Sequence, residues 1–363
     1  MDYLNVMRPN LRKIIWLELT RAIERDLYMR KVMQIQSSPG NLPSFKSLSC
    51  PQEELDPSGS VDKPKGRVES PASSIKGGDD TLKSQDGQGW WVHIYAEHIY
   101  STLQKHQELR IPYGRNSPQL EYRRYLVDFM GLLCEKLHIN IGTQHLAVYL
   151  MDHFMDNHSI ADTQLHLTCL VSLQIAAKSE ELDRLIPTID TLSSFVQYAY
   201  GVEEFKRMEL TVLKFYKWNL NIPTAAHFIN YYLHNALDVS DIYRGKQLED
   251  QFENAEKAFE RYTKYFLEIS LQEVIFLEHT PATVSACCVL ASRKCMNIQP
   301  LWPRRLEIKT GKSVKGLAKC GNLMLNQHDR DEQAEKTDEI QTTSEGSLPS
   351  NLYELPTQYL QTV

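Results

Sequence analysis

Four charged residues lie inside otherwise apolar helical runs of this chain. They are Arg123 in EYRRYLVDFMGLL, Asp152 in LAVYLMDHFMD, Lys178 in LVSLQIAAKSEE and Glu209 in FKRMELTVLKFYKW. A charge on an apolar helix is costly unless it is paired or lies where another molecule covers it. The chemistry these residues offer is ion pairing: one pair held internally and one presented outward would describe a binding module better than a catalyst. Other chemistries find little footing. His145, His153, His158 and His166 are spaced by eight, five and eight residues, which does not give the i, i+4 geometry of a helical metal pair. No metal and no other cofactor is expected. No GxSxG-like turn supports a Ser-His-Asp triad, and no Gly-rich phosphate loop is present. The adjacent Cys287 and Cys288 point in different directions around a helix and read as core.

Composition narrows the class. A net charge of −6 argues against a general nucleic-acid binder, which needs a basic surface to neutralise phosphates. The seven cysteines are odd in number, sit mostly in apolar runs and form no CxxC, which suggests reduced, buried thiols and a cytosolic or nuclear setting. No apolar run approaches ~18 residues, so no membrane-spanning helix is expected. The N-terminus also lacks the layout of a secretory signal.

The elements that must position the four charges are helical. Residues 1–35 carry a candidate basic amphipathic helix, built on Leu11, Ile14, Ile15, Ile23 and Leu27. Residues 36–88 are rich in Ser, Pro, Gly and charge and bury too little apolar surface to offset their ordering entropy, so they read as a disordered linker. Ser70-Pro71 within it is a candidate proline-directed phosphorylation site. From Trp90 onward the pattern is helical almost throughout. The run from Leu165 to Ala177 is apolar on nearly every face and belongs at the centre of a bundle. After Pro223-Thr224, a Thr N-cap signal, the arrangement starts again. LQIAAK ending at Lys178 matches CVLASR ending at Arg293, an offset of 115 residues, and LMD at 150–152 matches FLE at 266–268, an offset of 116. That constancy predicts a duplicated helical domain, too long in period for a solenoid. The domains expected are 89–222 and 223–325. The second is read as incomplete, because PRRLEIKTGKSVKGLAK is basic and broken by Gly311 and Gly316, and 326–363 reads as a disordered acidic tail.

YAEHIYSTLQ, RRYLVDF, LAVYLMDHFM, AAKSEE and RMELTVLKFYKWNLNIPTAAHF occur here in the order and spacing of the cyclins, and from about Trp90 to Trp302 the chain resembles that family. The resemblance implies an all-α fold of two tandem five-helix cyclin boxes without catalytic activity, the first gripping a cyclin-dependent kinase. Carried over by motif, Arg123 and Asp152 correspond to the family's internal ion pair. Lys178 and Glu209 correspond to its kinase-contacting pair, with Ile175, Leu213, Trp218 and Leu220 as the apolar positions around them. A substrate-docking patch would comprise Tyr122, Leu126, Phe129, Leu132 and His166, offering kinase substrates or inhibitors a seat. The location implied is the nucleus, with the cytoplasm as a second compartment.

Two departures qualify these expectations. Ser179 stands where the family usually has an aromatic after the Lys, removing apolar contact area worth about 1–2 kcal/mol. Leu132 replaces an acidic docking residue. Two rival readings stay open on the sequence: a cyclin-fold scaffold without kinase binding, and a DNA-gripping protein of the transcription-factor-IIB type, which would need basic helices and usually a zinc ribbon.

Overall fold

The computed structural model describes residues 89–344, with side chains to Gln333 apart from Asp250. The candidate N-terminal helix, the linker with Ser70-Pro71, and residues 345–363 lie outside the described residues. Among those described, no helix is long and apolar enough to cross a membrane.

After a short 3-10 turn at Trp90–Val92 comes α1 (Ala96–Gln107). Five helices then make the first domain: α2 (Arg123–Lys136), α3 (Ile141–Asn157), α4 (Leu165–Glu180), α5 (Ile189–Ser194) and α6 (Val202–Phe215). As its all-round apolarity predicts, α4 is the central helix, buried from Leu167 through Ala177 and packed against α2, α3 and α6. Three of the surrounding helices, α3, α5 and α6, start from a local capping signal. Asn140 accepts from Gly142 N at 2.8 Å, Thr188 accepts from Thr191 N at 3.1 Å, and Glu204 accepts from Gly201 N at 2.8 Å.

The second domain repeats the plan with α7 (Ala225–Leu233), α8 (Phe252–Gln272), α9 (Pro281–Cys295), α10 (Arg304–Thr310) and α11 (Val314–Ser344). Its central helix is α9, whose residues Ala286 to Ala291 are nearly solvent-free. The predicted cap at Thr224 is present in modified form: His227, rather than an acid, occupies N3 and accepts from Thr224 N at 3.1 Å through Nδ1. A three-stranded antiparallel sheet of two-residue strands, β1 (Ile242–Tyr243), β2 (Lys246–Gln247) and β3 (Ile298–Gln299), in the order β2-β1-β3, is the only departure from an all-helical pattern among the described residues. Its hairpin turns on Arg244 and Gly245, both with positive φ, as a two-residue type I′ loop requires.

Two expectations are corrected. The second domain is complete in helices rather than truncated, and 326–344 is helix rather than disordered tail. Gly316 and the polar run after Asn326 obscured this, yet Leu317, Cys320 and Met324 recur at helical spacing and are at most 1% exposed. At Gly321 an added Cβ would lie 3.1 Å from Leu290 Cδ2, so the glycine lets α11 approach α9 closely. Beyond them, Tyr265 Oη and His328 Nδ1 lie 2.9 Å apart, holding the next turn of α11 to α8.

In sequence α1 precedes the first domain, but in space it packs on the second. Tyr100 stacks on Tyr231 at 4.4 Å and Trp90 on the same ring at 5.7 Å. Lys309 of α10 lies 3.5 Å from the Tyr231 ring centroid and pairs with Glu97 at 3.2 Å. The chain then crosses back to the first domain along 108–122. This strap is fastened by Asp156, whose carboxylate accepts from the amides of Gly114 (2.6 Å), Asn116 (2.5 Å) and Ser117 (3.1 Å).

Candidate functional site

Arg123 opens α2 and Asp152 sits on the fourth turn of α3, so the packing of these two helices sets them face to face. Arg123 Nε and Nη2 donate to Asp152 Oδ1 and Oδ2, each at 2.8 Å, and both residues are at most 3% exposed. Burial opposes the guanidinium's charge and Asp152 outweighs it, leaving Arg123 above its ordinary pKa. The remaining donors reach further than the sequence suggested: Nη1 donates to Gln272 O and Nη2 to Leu271 O, both at 2.8 Å. These carbonyls end α8, where a cation is favoured. The pair therefore joins the first two box helices, as expected, and also ties the two domains together. Arg124 reinforces the joint through Glu273 at 2.8 Å and the Gln272 side chain at 3.0 Å.

Lys178 lies in the last turn of α4 and Glu209 in the middle of α6. Glu209 follows Phe205 by four residues and precedes Val212 by three, which places it beside the buried stripe that meets α4. Lys178 Nζ and Glu209 Oε1 are 2.5 Å apart, with the side chains 43% and 19% exposed. A pair this open contributes at most about 1 kcal/mol to stability. Around it, on the same segments, stand Leu182, Leu185, Leu210 and Trp218, all substantially exposed. Lys217 and Trp218 both have positive φ, and the chain turns there at the end of α6.

The apolar positions carried over from the family divide into two sets. Trp218 is exposed and Leu220 half-buried, so both present surface. Ile175 at 1% and Leu213 at 9% exposure are packed inside and support the face rather than form it. Leu182, Leu185 and Leu210 escaped the sequence reading. Leu210 was detectable, because it falls off the Phe205–Val212 stripe of an amphipathic helix.

The proposed docking patch is corrected in part. His166 gathers Tyr125 (Oη to Nε2, 2.8 Å) and Phe129 (ring centroids 5.3 Å apart), and Tyr122, Leu132 and His166 are half-buried. Leu126 and Phe129, however, are fully buried. As i, i+3 neighbours on α2 they face the core, and they offer no contact area to a ligand.

The duplicated cation tells the two domains apart. Arg293 occupies in α9 the place that Lys178 holds in α4, yet it has no exposed surface. Its guanidinium donates to Asp241 Oδ2 (2.9 Å), Ala236 O (2.5 Å), Pro300 O (2.6 Å) and Leu301 O (3.1 Å). One position is thus structural in the second domain and open in the first.

Two tandem five-helix domains, with the repeated cation outward in the first and buried in the second, define a helical binding protein of the double-box type. Residues 94–221 match the family model "Cyclin, N-terminal domain" and residues 223–348 the model "Cyclin, C-terminal domain", and the chain belongs to the cyclin family. It is similar to Cyclin-J of Xenopus laevis, 36% identical over 67% of this chain and 64% of that protein. It is likewise similar to Cyclin-J of Homo sapiens, 36% identical over 68% and 64%. The match thus spans about 64% of these relatives' length. Among solved structures, a viral cyclin from herpesvirus saimiri shares the fold, with a TM-score of 0.50 and 19% identity over 63% of this chain and 96% of the other. Cyclins are regulatory proteins rather than catalysts, and nothing in the family match supports the transcription-factor-IIB reading.

Proposed function

We propose that this cyclin binds a cyclin-dependent Ser/Thr kinase through the Lys178–Glu209 face and activates it, contributing to cell-cycle control in the nucleus. The observation that carries this reading is an exposed ion pair with exposed apolar residues on its flanking segments, at a position that the second domain buries. Such a face has little to do for folding and much to offer a partner.

The mechanism needs only binding. A protein kinase works when its mobile helix brings a Glu against the phosphate-gripping Lys. A platform that prefers this position shifts the equilibrium by its differential affinity for the two states. Lys178 offers donors to carbonyls and carboxylates of the docked helix, Glu209 accepts its donors, and Leu182, Leu185, Leu210 and Trp218 supply apolar area. The first domain is suited to this because α4 is buried on all sides and its last turn is held by its neighbours. Glu181 accepts from Asn140 N and Thr143 Oγ1, both at 2.7 Å, tying that end to the start of α3.

The test is co-purification of the full chain with cyclin-dependent kinases. Lys178→Ala with Glu209→Ala is expected to weaken binding at least ~10-fold while leaving helical circular dichroism and melting unchanged. Equal retention of kinase by the double variant would refute the proposal. No retention by either form would favour the kinase-free scaffold, for which the exposed Ser179 in place of an aromatic is the one supporting observation. A fluorescent fusion that stays out of the nucleus through the cell cycle would refute the nuclear part.

A further inference from the structure

The joint between the domains holds a partly open cavity of about 50 Å³. A water needs only ~10–15 Å³ on this measure, so there is room for several waters or one tetrahedral ion. Two guanidiniums, Arg110 and Arg123, line it, with a single carboxylate, Asp152. Both oxygens of that carboxylate are taken by Arg123. Arg110 lies over the Tyr149 ring at 4.5 Å and has no ion-pair partner among the described residues. Arg110 is half-buried, so one positive charge lines the cavity without a carboxylate to balance it.

The other polar groups point the same way. Arg110 Nε, His145 Nε2 and His279 Nε2 are all buried and none has a hydrogen-bond partner in the protein. His145 is only 4% exposed. The first residues of two helices, Ala225 of α7 and Pro281 of α9, border the cavity with the positive ends of their dipoles, while the carboxyl end of α8 at Ser270 and Leu271 also borders it, its last carbonyls taken by Arg123. Burial is the main reason both imidazoles lie below their ordinary pKa, His145 at about 3, so near neutral pH each is uncharged and keeps one N–H to donate.

Unpartnered buried donors are costly, a cation partly withdrawn from water adds to that cost, and here they converge from both domains. We propose that this cavity binds a small free oxyanion of the phosphate class, which clamps the two domains together. Arg110 supplies the counter-charge, while His145 from the first domain and His279 from the second supply hydrogen bonds. Charge-assisted bonds of this kind are the strong ones. The inference does not depend on kinase binding, and its test involves no kinase.

The experiment is thermal unfolding of the full chain in inorganic phosphate against sodium chloride at matched ionic strength. Phosphate is expected to raise the midpoint saturably, by roughly 5–10 °C at ~100-fold above its Kd. Arg110→Gln and His279→Gln are expected to remove most of that shift while melting normally in chloride. Equal shifts in wild type and variants would place the ion elsewhere and overturn the proposal. So would a phosphate response no larger than that to chloride, leaving only water in the cavity. If Arg110→Gln does not fold, the phosphorus-31 line width of phosphate decides: broadening by the wild type that His279→Gln abolishes supports the site, and unchanged broadening refutes it.

Discussion

At position 123 one guanidinium serves four acceptors: two carboxylate oxygens and two carbonyls at the end of α8. Removing it strands Asp152 in an apolar interior, so Arg123→Met is expected to cost ~3–5 kcal/mol in urea unfolding. The repeated cation offers a sharper comparison. Lys178→Met should leave stability within ~0.5 kcal/mol of wild type, as exposed substitutions do, whereas Arg293→Met should lose at least ~2 kcal/mol, because the carbonyls of Ala236, Pro300 and Leu301 lose their donor even though Asp241 keeps Arg305. If both variants melt alike, the contrast between an open and a buried position is wrong. The charge pairs themselves were legible in the sequence, since a charge in an apolar run demands an explanation. What each residue faces was not: Ile175, Leu213, Leu126 and Phe129 share helices with surface residues, and a few tens of degrees around the axis separate core from rim.

Among the elements, α11 carries the clearest lesson. Its inner turns close the second core through Leu317, Cys320 and Met324. Its outer turns are polar, and no periodic apolar stripe announces them. Local pairs do the work there: Gln327 donates to Asp331 at 3.0 Å, and His328 lies 3.3 Å from Glu332. Truncation after Leu325 should therefore be mild, about 1 kcal/mol for the lost Tyr265–His328 bond. Truncation after Ser313 should abolish cooperative unfolding of the second domain in a thermal scan. The central helices α4 and α9 were legible because a helix apolar all round has one place to go. The start of α8 at Phe252 was not, because only Ala255 and Phe259 anchor its first turns among many charges.

For the molecule as a whole, buried histidines set a pH dependence. Burial is the chief cause that lowers His145 to about 3 and His153 to about 4. Both imidazoles are thus neutral in the folded state where the unfolded chain, near 6.5, already binds protons. Folding stability is full above pH ~6.5 and falls as the pH drops below it, by up to ~1.4 kcal/mol per pH unit for each histidine until the folded value is reached. Urea midpoints measured between pH 7 and 4 should decline steeply, and His153→Gln should flatten the curve. A flat profile in the wild-type chain would contradict the burial of these rings. The duplication was visible in the sequence as a constant offset. The stitching of the two halves was not, because Arg123 and Arg124 meet α8 across about 150 residues of chain.

The fate of Arg293 bears on stoichiometry. Internal duplication could have furnished two equivalent grips and a chain that recruits two enzymes at once. On the proposed reading, the second domain gives up that valency by turning its copy of the cation inward onto Asp241, and the complex expected with the kinase is one-to-one.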